Sequence, residues 1–140
     1  MRFTKGEIVF ELEDTWIEEA GLIPLTPKRK HYKSIQDPLS KVFIIPIDSV
    51  RPPKRAEGVP MFNATEVDGK VMSARERTIS ILTAIAQGTP LPPVKVVALP
   101  DSEKYKFKLV DGVHKFLCSV AAGYSHIPAV YGIDIKDPHL

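Results

Sequence analysis

The run Lys108-Leu109-Val110-Asp111-Gly112-Val113-His114-Lys115 holds the residue types best suited to chemistry in this chain. An alternating strand pattern runs into a glycine, and an apolar pattern of helical period begins at once. Such a junction aims unpaired backbone amides and the positive end of a helix dipole at one spot. Glycine lets a ligand approach the backbone, and His114 and Lys115 add donors in the first turn. The chemistry this predicts is capture of an anion, most naturally a phosphate. A plainer alternative stays open, in which Asp111 caps the helix and Gly112 only turns the chain. Two side chains that can carry positive charge oppose the dipole at a helix start, so their placement favours an anion between them. Asp111 is also the one candidate general base towards a small hydroxyl substrate, if it is not the cap.

The elements that must position these residues follow from proline and period. The 13 prolines confine long helices to windows 1–23, 61–89 and 101–127. Residues 73–88, SARERTISILTAIAQG, give the best helix signal. Ser73 and Glu76 form a capping box, while Ile79, Leu82 and Ile85, flanked by Ile81 and Ala86, form the apolar stripe. Gly88 is placed for a left-handed cap and Pro90 forbids continuation. Arg75 and Arg77 lie on this helix, either as solvated charge or as contacts to a bound phosphate. Ile8, Phe10 and Leu12 share one face at period two and predict a half-buried strand. Thr15 with Glu18 predicts a capping box on a helix of little more than a turn, ended by Gly21 and anchored by Trp16 and Ile17. Val42–Ile45, Val94–Leu99, Tyr105–Leu109 and Ile127–Ile135 read as further strands. A second helix carries Val113, Phe116, Leu117, Val120 and Ala121 on its stripe, with Gly123 as its stop. The result is a small α+β domain with a mixed sheet and two main helices.

Composition bounds the rest. A chain of 140 residues, 44% apolar and 26% charged, suits one domain with a genuine core, and excludes a disordered or fibrous chain. No apolar run approaches the roughly 18 residues needed to cross a bilayer, so no membrane partner is expected. The start, MRFTKGEIVFELED, lacks the pattern of a secretory signal, and the single cysteine, Cys118, cannot form an internal disulfide. A reducing, cytoplasmic setting follows as the expectation, with Cys118 as a small packed residue. One cysteine and four histidines give no expected metal site. Net charge is +2, but it is uneven: residues 1–20 balance at −4 and residues 21–55 at +6. That basic stretch is either solvated loop or a weak, sequence-independent contact to nucleic acid. Within it, residues 24–40 read as a basic arm containing His31. His126 reads as a loop or capping residue, and His139 lies near the C-terminal end of the chain. We therefore expect an N-terminal extension with a basic arm over 1–40 and the main domain over 41–135.

The run from Leu109 to Val130, LVDGVHKFLCSVAAGYSHIPAV, resembles the signature of the ParB/sulfiredoxin-like domain. That family carries a strand, a Gly-x-(Arg/His)-Arg turn, a helix, an Ala-Gly cap and a Val/Ile-Pro strand. Ile45-Pro46-Ile47-Asp48-Ser49-Val50-Arg51-Pro52 resembles its first strand and exit. The helix over 73–87 followed by Gly88-Thr89-Pro90-Leu91-Pro92-Pro93-Val94 resembles its helix, Gly, Leu-Pro-Pro-Val step. The resemblance covers about residues 42–132.

It implies a ParB/sulfiredoxin-like fold in which Gly112, Val113, His114 and Lys115 wrap phosphates and Leu91, Pro92, Pro93 and Val94 lie beside a nucleotide. ATP, ADP or CTP with Mg²⁺ are the implied cofactors. The free-serine kinases of this fold carry Asp-Gly-His-His-Arg, which Asp111-Gly112-Val113-His114-Lys115 approaches, so a small-molecule phosphotransferase is one implied activity. Two alternatives remain: a DNA-associated module or nuclease, and an interaction protein that has lost the ligand. Nuclease chemistry usually needs clustered carboxylates for metal ions, and only Asp111 is near. Lys115 stands where the family has arginine, so bidentate phosphate recognition becomes a point charge. Sulfiredoxins have cysteine where this chain has Val113, so sulfinic-acid repair is not expected.

Overall fold

The computed structural model describes residues 1–22, 29–36, 39–53, 62, 65–67 and 69–133. The chain opens with a hairpin of β1 (Arg2–Lys5) and β2 (Ile8–Glu11), followed by α1 (Asp14–Ala20). Strand β3 (Phe43–Pro46) leads through a 3₁₀ turn, and β4 (Thr65–Val67) pairs with β5 (Lys70–Met72). Then come α2 (Ala74–Gln87), β6 (Val94–Ala98), β7 (Phe107–Asp111), α3 (Val113–Ala121) and β8 (His126–Tyr131). The main sheet has the order β3-β8-β6-β7. Strand β8 runs antiparallel to β3 and parallel to β6, and β6 runs antiparallel to β7. The architecture is thus α+β with a small mixed sheet.

Local chemistry accounts for α2. Ser73 caps it, its Oγ accepting from the Glu76 amide at 3.1 Å and donating to the Glu76 carboxylate at 3.1 Å. Gly88, at φ 72°, closes it in the left-handed conformation that favours glycine. Its buried face is Thr78, Ile81, Leu82 and Ile85, so Ile81 belongs to the stripe rather than its flank and Ile79 is only half-buried. In α1 the expected Thr15–Glu18 capping box does not form; Glu13 is the N-cap and makes no side-chain cap bond. The helix instead holds by burying Ile17 and Ala20 and by the Gly21 stop. Strand β3 lies at the sheet edge, with Ile45 buried and Ile44 44% exposed.

Helix α3 departs most from expectation. Every residue from His114 to Ala121 is buried, so the amphipathic stripe read from sequence is a fully enclosed helix. It packs on α2, β1 and β6. A helix enclosed on all sides buries its polar residues too, and Ser119 answers by bonding the Lys115 carbonyl at 2.8 Å. The residues expected as an N-terminal extension contribute Ile8, Phe10, Leu12, Ile17, Ala20 and Tyr32 to the same core. Among the described residues, no helix is long and apolar enough to cross a membrane.

Candidate functional site

The two stretches singled out in sequence meet at the start of α3. Gly112 is its N-cap residue at φ 101°, and the first bond of the helical ladder runs from the Phe116 amide to the Gly112 carbonyl at 2.9 Å. The amides of the preceding turn therefore lie ahead of the ladder, as a helix start requires. Asp111 does not cap this helix: no side chain does. Asp111 is the last, exposed residue of β7, opposite Lys95 of β6, and its carboxylate makes no hydrogen bond or ion pair among the described residues.

The glycine has a different reason from the expected one. A Cβ on Gly112 would lie 2.7 Å from Val94 Cγ1, 3.1 Å from Val94 Cβ and 3.3 Å from Val94 Cα. The space on that side is filled by Val94, which is itself fully buried, rather than open to a ligand. Gly112 thus lets the helix start close onto the Leu91–Val94 step.

Lys115 spans the same seam. Its side chain is buried and its Nζ donates to the Pro93 carbonyl at 3.3 Å, a long bond. Burial pushes its pKa below the usual lysine range; Asp111 opposes that shift, while Arg77 and Lys95 add to it. Arg77 of α2 is thus near enough to Lys115 for its charge to act there. Its Nε is buried with no hydrogen-bond partner among the described residues, and the adjacent Thr78 Oγ1 is equally unpartnered. Arg75 points elsewhere and pairs with Glu19 of α1 at the surface.

His114 turns inward. Its ring lies 5.7 Å from Phe62, which lies 5.9 Å from Phe10, which stacks on Phe3 at 5.5 Å. This row of rings ties the N-terminal hairpin to the helix start, and nothing in the local pattern of 108–115 foretells it. Val113 lies on the other flank of the turn. It lines a cavity of about 610 Å³ with Glu7, Arg51, Lys104, Tyr105 and Lys108. There Glu7 pairs with Lys104 and accepts from the Tyr105 hydroxyl at 2.7 Å. That these residues meet escaped the sequence reading, because the hairpin and the loop after β6 come together only in three dimensions.

Beside Pro93, the step is held from behind. The Tyr32 hydroxyl donates to the Pro92 carbonyl at 2.7 Å, and Leu91 bonds through its amide to Lys33 O at 2.8 Å and through its carbonyl to Ile35 N at 2.9 Å. Cys118 is buried within α3, and burial pushes its thiol pKa upward, the reverse of what a nucleophile needs. Among the described residues no group of three histidine, cysteine or acidic side chains could hold a metal ion. His139, Lys28, Lys54 and Arg55 lie outside the described residues. Comparisons with protein-family models, curated proteins and solved structures give no match to this chain.

Proposed function

We propose that this chain is a ParB/sulfiredoxin-like domain that holds the phosphates of a small ligand, a nucleotide, between Arg77 and Lys115 at the start of α3. Support for the fold reading is the order of parts: β3, then α2 with Gly88, then Leu91–Val94 into β6, then β7 into Gly112 and α3, then β8. That is the order of the motifs the sequence shares with the family. The reducing cytoplasm is the setting this reading assumes.

One observation carries the ligand reading: the buried Arg77 Nε has no acceptor among the described residues, beside a lysine that is itself buried. A buried donor without a partner costs about 1–3 kcal/mol. Two neighbouring cations, one buried and one half-buried, also repel. A phosphate supplies the missing acceptor and the missing counter-charge at once. Arg77 then provides the planar fork that Lys115 cannot, so bidentate recognition moves from the turn to α2. The exposed Asp111 carboxylate stands at the edge of this site, where a general base towards a hydroxyl substrate would act. Mg²⁺ would then arrive bound to the nucleotide.

Calorimetric titration with ATP, ADP and CTP, with and without Mg²⁺, tests the reading. Wild type binds at least one of them. Arg77→Met and Lys115→Met each weaken it by roughly ten- to a hundredfold, the worth of a hydrogen bond to a charged group. If wild type binds none, or both variants bind as wild type does, the α3 start is structural.

A further inference from the structure

The basic stretch near residue 30 reads in sequence as a solvated loop or a weak contact to nucleic acid, and its described part is fastened to the body on both sides. The Lys30 carbonyl accepts from the Ser125 amide at 3.1 Å and the His126 amide at 3.0 Å. Two residues on, Tyr32 is 1% exposed and bonded to Pro92. The backbone between these anchors has no freedom to trail into solvent. It sets Arg29, Lys30 and His31 beside His126, around one open depression of about 550 Å³ floored by Ile44.

Four features point to what this depression takes. Every polar side chain lining it is a cation or an imidazole, and no acid is among them. Among the described residues, none of the four takes part in an ion pair, although five such pairs form elsewhere. His31 Nδ1 lies 2.7 Å from the Tyr32 carbonyl, so that nitrogen carries the proton and orients the ring. His126 is oriented likewise by the Ser125 hydroxyl, 2.7 Å from its Nδ1. Imidazoles oriented before a ligand arrives lose little entropy when it binds.

We propose that this depression is a second phosphate site, separate from the one at α3 and independent of it. Arg29 and Lys30 supply charge and donors, His126 offers its Nε2–H when the Ser125 hydroxyl donates to its Nδ1, and Ile44 offers an apolar floor to the ester group of the ligand. The shared chemistry is a phosphate group, borne either by a small phosphomonoester or by the backbone of a single-stranded nucleic acid.

Amide and imidazole NMR shifts of the full chain, titrated separately with inorganic phosphate, 5′-AMP and a short oligothymidylate, decide it. Lys30, His31 and His126 are expected to shift together. Arg29→Ala with Lys30→Ala, both at exposed positions, should weaken binding at least tenfold without unfolding the protein. His126→Gln should weaken it as well. Saturation by 5′-AMP identifies a small phosphomonoester as the ligand. Response to the oligonucleotide alone, weakening with salt at a log–log slope of about −0.7 per phosphate contact, identifies the strand. If none of the three probes moves these resonances, or the Arg29/Lys30 double variant binds as wild type does, the proposal fails.

Discussion

Replacing Gly112 by alanine should destabilise the protein through two separable terms. The residue sits at φ 101°, where an L side chain costs about 1–2 kcal/mol. The new Cβ would also meet Val94 Cγ1 at 2.7 Å, closer than carbon atoms pack. Val94 is fully buried in the central sheet and cannot swing into solvent, so the seam must open. Overpacking of this kind costs about 1–3 kcal/mol. Together they give about 2–5 kcal/mol, a large share of the ~5–15 kcal/mol that holds a domain folded. At about 3 °C per kcal/mol for a chain of this length, the melting temperature falls by roughly 6–15 °C. Urea unfolding followed by circular dichroism measures the loss. Val94→Ala separates the terms, because it removes the closest contact, with Cγ1, but leaves φ as it is. In a double-mutant cycle the pair should therefore be about 1–3 kcal/mol more stable than the sum of the single changes predicts. A Gly112→Ala protein within about 0.5 kcal/mol of wild type, or strictly additive behaviour, would refute the reasoning.

Lys115→Met should stabilise the ligand-free protein by about 1 kcal/mol near neutral pH, since it removes a buried cation at little change in volume. The folded pKa of Lys115 lies below its unfolded value of 10.5, so the unfolded chain binds more protons between the two. Wild-type stability therefore rises relative to the variant as pH climbs towards 10.5, and a gap that stays constant in urea melts across that range argues against the burial penalty. Tyr32→Phe should cost about 1–2 kcal/mol, through loss of the bond to the Pro92 carbonyl. Burial raises the Tyr32 pKa above its unfolded value, so this contribution is present below pH 10.0 and drains away above it. Denaturation curves at rising pH should show the two proteins converging there.

The parts legible in the sequence were those governed by neighbours in the chain. Ser73, Glu76 and Gly88 fix α2 through contacts three or four residues apart, and the structure reproduces both ends. The alternation of Ile8, Phe10 and Leu12 likewise marks β2, although nothing in residues 2–5 announces β1 as its partner. The enclosure of α3 was not legible, because Lys115, Cys118 and Ser119 break the stripe that sequence reading relies on. Their burial follows from the hairpin and α2 closing over the outer face of the helix, a property of distant residues. At the site, the pairing of Gly112 with Val94 joins residues 18 apart, and only coordinates separate Arg77 from Arg75. In the basic arm the described charges of Arg29, Lys30 and Lys33 do face solvent, while the buried ring of Tyr32, which the charge pattern does not announce, decides the course of the backbone.

The place of β8 in the sheet bears on how the protein comes into being during synthesis. Among the described residues the strand latest in the chain is an interior one, with β3 on one side and β6 on the other. Until residue 131 is available, β3 has no partner in the main sheet, and the β6–β7 hairpin presents a bare edge where β8 will sit. Unpaired edges of this kind invite association with other chains. The pairing that closes them joins residues more than eighty positions apart, from Phe43 to Ala129, so its loop-closure cost is met late and the sheet forms slowly. A nascent chain that has not yet released β8 holds a lone β3 and the β6–β7 hairpin, and its vulnerability to aggregation ends in a single step when that strand slots between them.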